Sequence, residues 1–578
     1  MNYEAVLHIP LSNYAHGIDE ENVVFRIRTA RDDIKSCILH YGDRACRVNP
    51  VIFNSEPMKI VAQDELYDYY EVVLHSPYTR ICYYFELSDG VESKYYYYDM
   101  FMNTLPIERS EFYQLPFNRR EDIATIPSWV QDAVVYNIFP DSFATAKGYI
   151  SNKKGEAKFS HHTTYSMRGG TLKGIKENIP YFLDLGVNCI YMNPIFVAGE
   201  WHKYDLIGYY NIDPCFGTNE DFKDLVDACH DNDIRVIIDG VFNHCGWHFF
   251  AFEDVLEKGE ASKYKDWFYG LKYPVEYPDN QEDIPTYDCF AYEREMPKMN
   301  TSNKEVIEYF LDVCKYWTES YGIDGWRLDV ASEVDDTFWR EFRKTAKSIN
   351  PDCFIIGEVW ESAQHWLLGD QFDSSMNYDM RKNCRDFFAV DALDSYGFDS
   401  RVTAMLMRYN KNIVHGQLNL LDSHDVPRFL SICQEDMKRF KLSVIFQMTF
   451  LGVPMVFYGD EKGLVGIKEH EYRRPMSWDK EEGAEIYSFY QDIIKLRRNK
   501  DTLKYGDYKT IMAERNSGVY AFKRCHDDEE TYVILNRSEE SIAIDNVIGD
   551  TNYNIDLSSN EDCKMVEPWG FVIVSKSC

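Results

Sequence analysis

Three apolar runs in this chain stop at a carboxylate. Gly325-Trp326-Arg327-Leu328 leads into Asp329, Ile355-Ile356-Gly357 into Glu358, and Leu421 into Asp422-Ser423-His424-Asp425. Each run reads as a buried strand, and acids at the C-terminal ends of barrel strands are placed for chemistry. Two opposed carboxyls suit glycoside hydrolysis, one attacking the anomeric carbon and the other protonating the leaving oxygen. The surroundings divide the roles. Arg327 precedes Asp329 by two positions, so both share a strand face and the guanidinium can hold Asp329 ionised as a nucleophile. Glu358 has Val359 and Trp360 beside it, and desolvation there would raise its pKa, as a general acid needs. Asp425 would grip sugar hydroxyls and favour an oxocarbenium-like transition state. His244 and His424 can bond hydroxyls of the same ring. A fourth acid, Asp239, opens the string Asp239 to His244 after another apolar run; it reads as structural, an organiser of Arg327. A lone acid after a strand is more often a cap or turn residue. Three acids with an arginine and two histidines at successive strand ends make the site reading prevail.

These residues converge only if the strands close into a ring. From about residue 130 the chain alternates strand and helix, with candidate strands at 133–138, 187–192, 234–238, 323–328, 353–357, 372–377, 417–421 and 453–458. Eight such strands predict a (β/α)8 barrel. Ser302-Asn303-Lys304-Glu305 reads as a capping box ahead of Val306, Phe310, Val313 and Trp317 at helical spacing, with Gly322 closing the unit. A second helix spans Asn219 to Cys229, with Phe222, Leu225, Val226 and Cys229 on one face. The aromatic-rich connection at about 245–300, after the third strand, predicts a small subdomain roofing the cleft. Short aromatic and β-branched runs before and after the barrel predict flanking β-sandwiches. The expected domains are 1–121 (N-terminal β-sandwich), 122–503 (barrel) and 504–578 (C-terminal antiparallel β-sandwich).

The formal net charge of -33 argues against nucleic acid or an anionic membrane surface as partner and is compatible with a neutral substrate. Its plainest meaning is solubility. Fifteen cysteines lie scattered without CxxC pairs and read as reduced thiols rather than bridges or zinc ligands. With no basic, apolar leader at Met1 and no apolar stretch long enough for a membrane span, the cytoplasm is the expected compartment.

The strings at Asp239–His244, Gly325–Asp329, Glu358–Trp360 and Leu421–Asp425 resemble the four principal conserved regions of the α-amylase family of glycoside hydrolases. Met296-Pro-Lys-Met-Asn300 is similar to a signature of its neopullulanase, cyclomaltodextrinase and maltogenic amylase group, and Gly452–Gly459 resembles the family's last barrel strand. The likeness spans about residues 130–480; the N-terminal segment looks like that group's starch-binding-type domain. The resemblance implies a retaining hydrolase of α-1,4 links in cyclomaltodextrins, maltooligosaccharides or pullulan, with Asp329 as nucleophile, Glu358 as acid/base and Asp425 as transition-state stabiliser. It implies that Arg327, His244 and His424 contact the sugar at the cleaved end and that Tyr204 stacks on it. Glu333 and Trp360 would line the leaving-group side, where water and sugar compete as acceptor. Glu469 and Arg473 stand where the group binds a more distant glucose, with Glu469 replacing an Asp and His470 a Pro. The alternatives are a transglycosylase of the same fold and a non-catalytic glucan-binding protein. The group's calcium loop is Asn/Asp-rich, completed by a Gly-Gly-Asp-Leu string; Phe143–Gly148 and Gly169-Gly-Thr-Leu172 lack most of those oxygen ligands, so no calcium or other cofactor is expected. The resemblance also implies a homodimer, with the N-terminal domain of one chain covering the cleft of the other.

Overall fold

The computed structural model describes residues 1–146, 168–278, 280, 283–560 and 564–577. At its centre eight parallel strands close a barrel: Val135–Ile138, Cys189–Met192, Arg235–Gly240, Gly325–Leu328, Phe354–Gly357, Ser374–Asn377, Leu418–Leu420 and Val453–Phe457. Strand alternation sorts the side chains into two layers. Val135, Tyr191, Ile237, Ile356, Met376, Leu418 and Met455 fill the interior. Ile138, Ile190, Val236, Trp326, Ile355 and Val456 face outward into the larger core beneath the helices. Arg327 falls on the inner face with Gly325, and Asp239 with Ile237. Gly325 is required by close strand approach: a Cβ there would lie 2.6 Å from the Phe354 carbonyl oxygen.

Each expected strand segment overlaps an observed strand. The third runs on to Gly240, so Asp239 sits within the ladder, paired with Arg327, rather than after it. The helix Asn219–His230 buries the expected face and has a capping box formed by Thr218 and Asp221. The capping box expected at Ser302–Glu305 is not formed. Asn303 caps Lys304–Lys315 by accepting from the Glu305 N–H, while the Ser302 hydroxyl turns back to Asn300 Oδ1 at 2.8 Å. Asn competes with Ser for this position on equal terms, and its side chain is the one aligned. The helix widens into a π-turn at Tyr316–Tyr321 and stops at Gly322, φ 72°.

After the third strand, the helix Phe250–Lys258 and a series of turns form the expected inserted unit. It places Phe290, Glu293 and Met296 over the cleft. The N-terminal region is a sandwich of two antiparallel sheets, one containing Asn22–Ala30 and Tyr67–His75, the other Ser36–Asp43 and Ile81–Ser88. Phe25, Ile27, Leu39, Tyr83 and Phe85 interdigitate between them. It docks on the barrel through Asn13 and Arg26, both donating to the Met407 carbonyl (2.8 and 3.0 Å). The C-terminal region is a five-stranded antiparallel sheet beside a two-stranded ribbon. Buried Arg524 ties it to the barrel through the Thr449 and Leu503 carbonyls (2.8 and 3.0 Å). The thirteen described cysteines are free thiols, mostly buried. Among the described residues no helix is long and apolar enough to cross a membrane.

Candidate active site

A cleft of about 730 Å3 opens at the C-terminal rim of the barrel. Asp329, Glu358 and Asp425 line its floor, with Tyr204 and His244 on one side and Glu333, Trp360, Glu469 and Arg473 around the mouth. Arg327 and His424 lie just beneath, almost wholly buried. All the residues singled out by sequence thus gather at one rim.

The arrangement is built on Arg327. Its Nη1 donates to Asp239 Oδ1 and Oδ2 (2.9 and 3.0 Å) and to Asp329 Oδ1 (2.8 Å). Its Nη2 stands 2.9 Å from Glu358 Oε2 and 3.9 Å from Asp425 Oδ2. Burial opposes the charge, but Asp239 and Glu358 outweigh it and keep the guanidinium protonated. Asp239 is the organiser expected of it, taking a further hydrogen bond from the Tyr191 hydroxyl at 2.7 Å.

Two expectations about the acids need correction. Glu358 does not sit in an apolar pocket. Beyond the ion pair with Arg327, it accepts two hydrogen bonds, from the Val330 N–H to Oε2 at 2.9 Å and from the Trp360 indole N–H to Oε1 at 3.0 Å. Nor does Arg327 keep Asp329 low. Burial first, and the Glu358 charge second, push the Asp329 carboxyl well above its ordinary value despite the guanidinium. Sequence showed the i, i+2 pair but not that the same guanidinium reaches Glu358. Val330 adopts a left-handed conformation (φ 46°, ψ 44°), costly for a β-branched residue. That turn aims its N–H at Glu358.

Asp425 is raised to about 7 by burial and by Glu358, against the pull of Arg473 and Arg327. Arg473 Nη2 is 3.4 Å from Asp425 Oδ1. Burial holds His244 down at about 3, and burial with Arg473 and Arg327 pushes His424 well below its usual value. Both rings are therefore neutral hydrogen-bonding groups at working pH. His424 Nδ1 faces the Asn193 amide nitrogen at 2.9 Å, which assigns the ring proton to Nε2. Nε2 lies 3.1 Å from Asp425 Oδ2 and 2.5 Å from the Tyr204 hydroxyl, and that hydroxyl donates onward to Asp239 Oδ2 at 3.0 Å. The Tyr204 ring lies flat on His424 (centroids 5.2 Å apart, planes 7°). Its loop is fixed by buried Lys203, φ 65°, paired with Asp213 at 2.9 Å.

On the mouth side, Lys298 reaches from the inserted unit to Asn243 Oδ1 (2.5 Å) and Glu333 Oε2 (2.7 Å). Trp360 lies on Tyr378 (3.9 Å, 10°) with 41% of its surface exposed. Glu469 does reach Arg473, 2.5 Å from its Nη1. Sequence reasoning missed Tyr191, Asn193, Lys298 and Phe290, the last stacked on His244 at 4.9 Å. Polar residues inside apolar strand runs were the available signal for Tyr191 and Asn193.

In the described part of the loop after the first strand, Asp141 is engaged by backbone donors. Asp141 Oδ1 accepts from the Arg168 and Gly169 N–H groups (3.0 and 3.1 Å), and Oδ2 from Arg168 N–H (2.9 Å). Lys147 and Gly148, at the end of that string, lie outside the described residues.

Residues 137–506 match the family described as Alpha amylase, catalytic domain, and residues 1–119 match Alpha amylase, N-terminal ig-like domain. The chain is 39% identical to a cyclomaltodextrinase of Geobacillus thermopakistaniensis over 99% of each chain. It is 40% identical to neopullulanase 2 of Thermoactinomyces vulgaris, covering 93% of this chain and 92% of that one. Among solved structures, a cyclomaltodextrinase superposes with a TM-score of 0.91 at 37% identity, covering all of both chains. With this fold, these acids at these strand ends and full-length likeness, the chain belongs to the α-amylase family of glycoside hydrolases, in its neopullulanase, cyclomaltodextrinase and maltogenic amylase group.

Proposed function

We propose that the protein hydrolyses α-1,4-glucosidic bonds of cyclomaltodextrins, maltooligosaccharides and pullulan with retention of anomeric configuration. Asp329 attacks the anomeric carbon while Glu358 protonates the leaving oxygen. Glu358 then removes a proton from water, which displaces Asp329 and regenerates both groups. The first step takes Glu358 in its protonated form and Asp329 ionised, with Arg327 steadying the ionised Asp329. Asp425, bridged by His424 and Arg473, binds sugar hydroxyls and favours the distorted, cationic transition state. His244 and Tyr204 complete the sugar's surroundings, and Glu333 and Trp360 those of the acceptor.

The observation that carries this reading is the Arg327 guanidinium, with Asp329 Oδ1 2.8 Å from one terminal nitrogen and Glu358 Oε2 2.9 Å from the other. Acids gathered on one fork fit the ~5–5.5 Å separation of retaining enzymes better than the ~6.5–9.5 Å that admits an intervening water. The names of the relatives, cyclomaltodextrinase and neopullulanase, support the substrate class. The same reading includes a cytoplasmic homodimer that works without calcium; a relative from Bacillus subtilis is named intracellular maltogenic amylase. The test is NMR of the first-formed products from β-cyclodextrin, maltotriose and pullulan. α-Anomers are expected, and Asp329→Asn and Glu358→Gln should abolish turnover while substrate still binds. First-formed β-anomers would refute the mechanism. Reducing sugar from none of the three would refute the activity.

A further inference from the structure

In a chain with 95 acidic against 62 basic residues, one hollow of the N-terminal sandwich has the opposite character. It measures about 430 Å3 and is lined by Arg44, Ala45, Arg80, Arg109, Ser110 and Gln114, with no carboxylate among them. The fold builds it deliberately from three places. Strands Ser36–Asp43 and Ile81–Ser88 end opposite each other at Asp43 and Ile81. One step beyond, the Arg44 N–H bonds to the Arg80 carbonyl at 3.1 Å, which brings two guanidinium stems together. Arg109 enters from the short turn Arg109–Glu111. Its Nη1 donates to the Arg44 and Cys46 carbonyls (3.0 and 2.9 Å) and its Nη2 to that of Val48 (2.8 Å). Carbonyls fix the plane of the guanidinium without cancelling its charge. The Arg44 and Arg80 side chains, both exposed, make no ion pair or hydrogen bond with the described residues. Gln114 spends its amide nitrogen on the Arg109 and Phe112 carbonyls (3.0 Å each), leaving a buried Oε1 without a partner.

Three like charges lining one hollow repel one another, and a bound anion reverses that sign. Arginine forks match a phosphate's tetrahedral oxygens better than they match a neutral sugar. We infer that this hollow is a non-catalytic site for a phosphate dianion, either inorganic phosphate or the phosphate group of a phosphorylated sugar. It is separate from the acidic cleft and does not rest on the catalytic reading.

The test is calorimetric titration of the full chain with inorganic phosphate, glucose 6-phosphate and glucose, at low and at physiological ionic strength. Phosphate and glucose 6-phosphate should bind, more weakly at higher salt, and glucose should not. Tighter binding of the sugar phosphate identifies a phosphorylated sugar as the ligand, and equal binding identifies phosphate itself. The double variant Arg44→Gln/Arg80→Gln removes two exposed side chains without partners and should lose affinity about tenfold or more. Its turnover of unphosphorylated maltooligosaccharide should be unchanged, which shows that it is folded. Absence of phosphate binding, or equal binding by the variant, overturns the proposal. So does a change of sedimentation in the variant, which would assign the arginines to a contact between copies.

Discussion

Replacing Arg327 by methionine would leave four carboxylates around a fully buried side chain without the cation they share. Removing one partner of a buried ion pair costs about 3–5 kcal/mol because the other charge is stranded. Here the stranded groups have an escape, since Asp239, Asp329 and Asp425 already have raised pKa values and can take up protons. The loss should therefore depend on pH. It is expected at about 3–5 kcal/mol at pH 8 and about 1–2 kcal/mol at pH 5, where protonation relieves the repulsion. Urea unfolding at the two pH values, followed by the fluorescence of tryptophans buried in the barrel such as Trp326, measures both. Turnover of β-cyclodextrin should fall by about 100- to 1,000-fold, as when a preorganised donor to transition-state charge is lost. Arg327→Lys should recover much of the stability but little of the turnover, because a point charge cannot hold both acids from two nitrogens. Equal destabilisation at pH 5 and pH 8, or turnover within tenfold of the parent, would refute the claim that this guanidinium holds the acids.

Asp425→Asn should reduce turnover by at least about 1,000-fold and yet stabilise the protein as pH rises. The folded Asp425 carboxyl titrates near 7, above its ordinary 3.8, so the native state holds more protons than the unfolded state between those values. Its ionisation costs stability fully above about pH 7 and not at all below about pH 4. With a quarter of the side chain still exposed, the variant should gain on the order of 1–3 kcal/mol on the parent between pH 4 and pH 8, read from melting curves. Lys298→Met frees Glu333 and should change the ratio of transfer to hydrolysis products at high maltotriose by about threefold or more, with β-cyclodextrin turnover changed less; an unaltered ratio would make the contact purely structural. Trp360→Ala removes the platform on Tyr378 and the hydrogen bond to Glu358 and should lower kcat/KM about 10- to 100-fold. Chelation followed by dialysis should leave both the melting temperature and the activity unchanged; a drop reversed by added calcium would place an ion near Asp141.

The fold was legible because barrel strands buried on both faces read as continuous apolar runs between amphipathic helices. The strand ends were legible because acids there break the pattern. Misplacements arose where two residues compete for one local role. Ser302 and Asn303 can both cap a helix, and only backbone direction selects Asn303. Asp239 was placed after its strand because an acid inside an apolar run looks like an end. Its register opposite Arg327 depends on the neighbouring strand, which lies far away in sequence.

The identity of the acids could be read from one strand at a time, but their electrostatics could not. Arg327 is two residues from Asp329 and thirty-one from Glu358, yet it lies within 3 Å of both. The surroundings of the two acids therefore differ from what local neighbours suggest. Trp360 looked like an apolar neighbour of Glu358, but it turns its N–H toward the carboxylate. Val330 looked like an ordinary strand exit, but its left-handed turn presents another donor. Burial and the Glu358 charge together raise the Asp329 carboxyl. A glucan entering the cleft excludes water and strengthens both effects, so substrate binding itself should raise the proton affinity of Asp329 further. Asp329 must be ionised to attack, so its titration sets the ascending limb: the apparent lower pKa should be higher in kcat, which reports the complex, than in kcat/KM, which reports the free enzyme, and equal values would mean that the Asp329 proton is set before the sugar arrives.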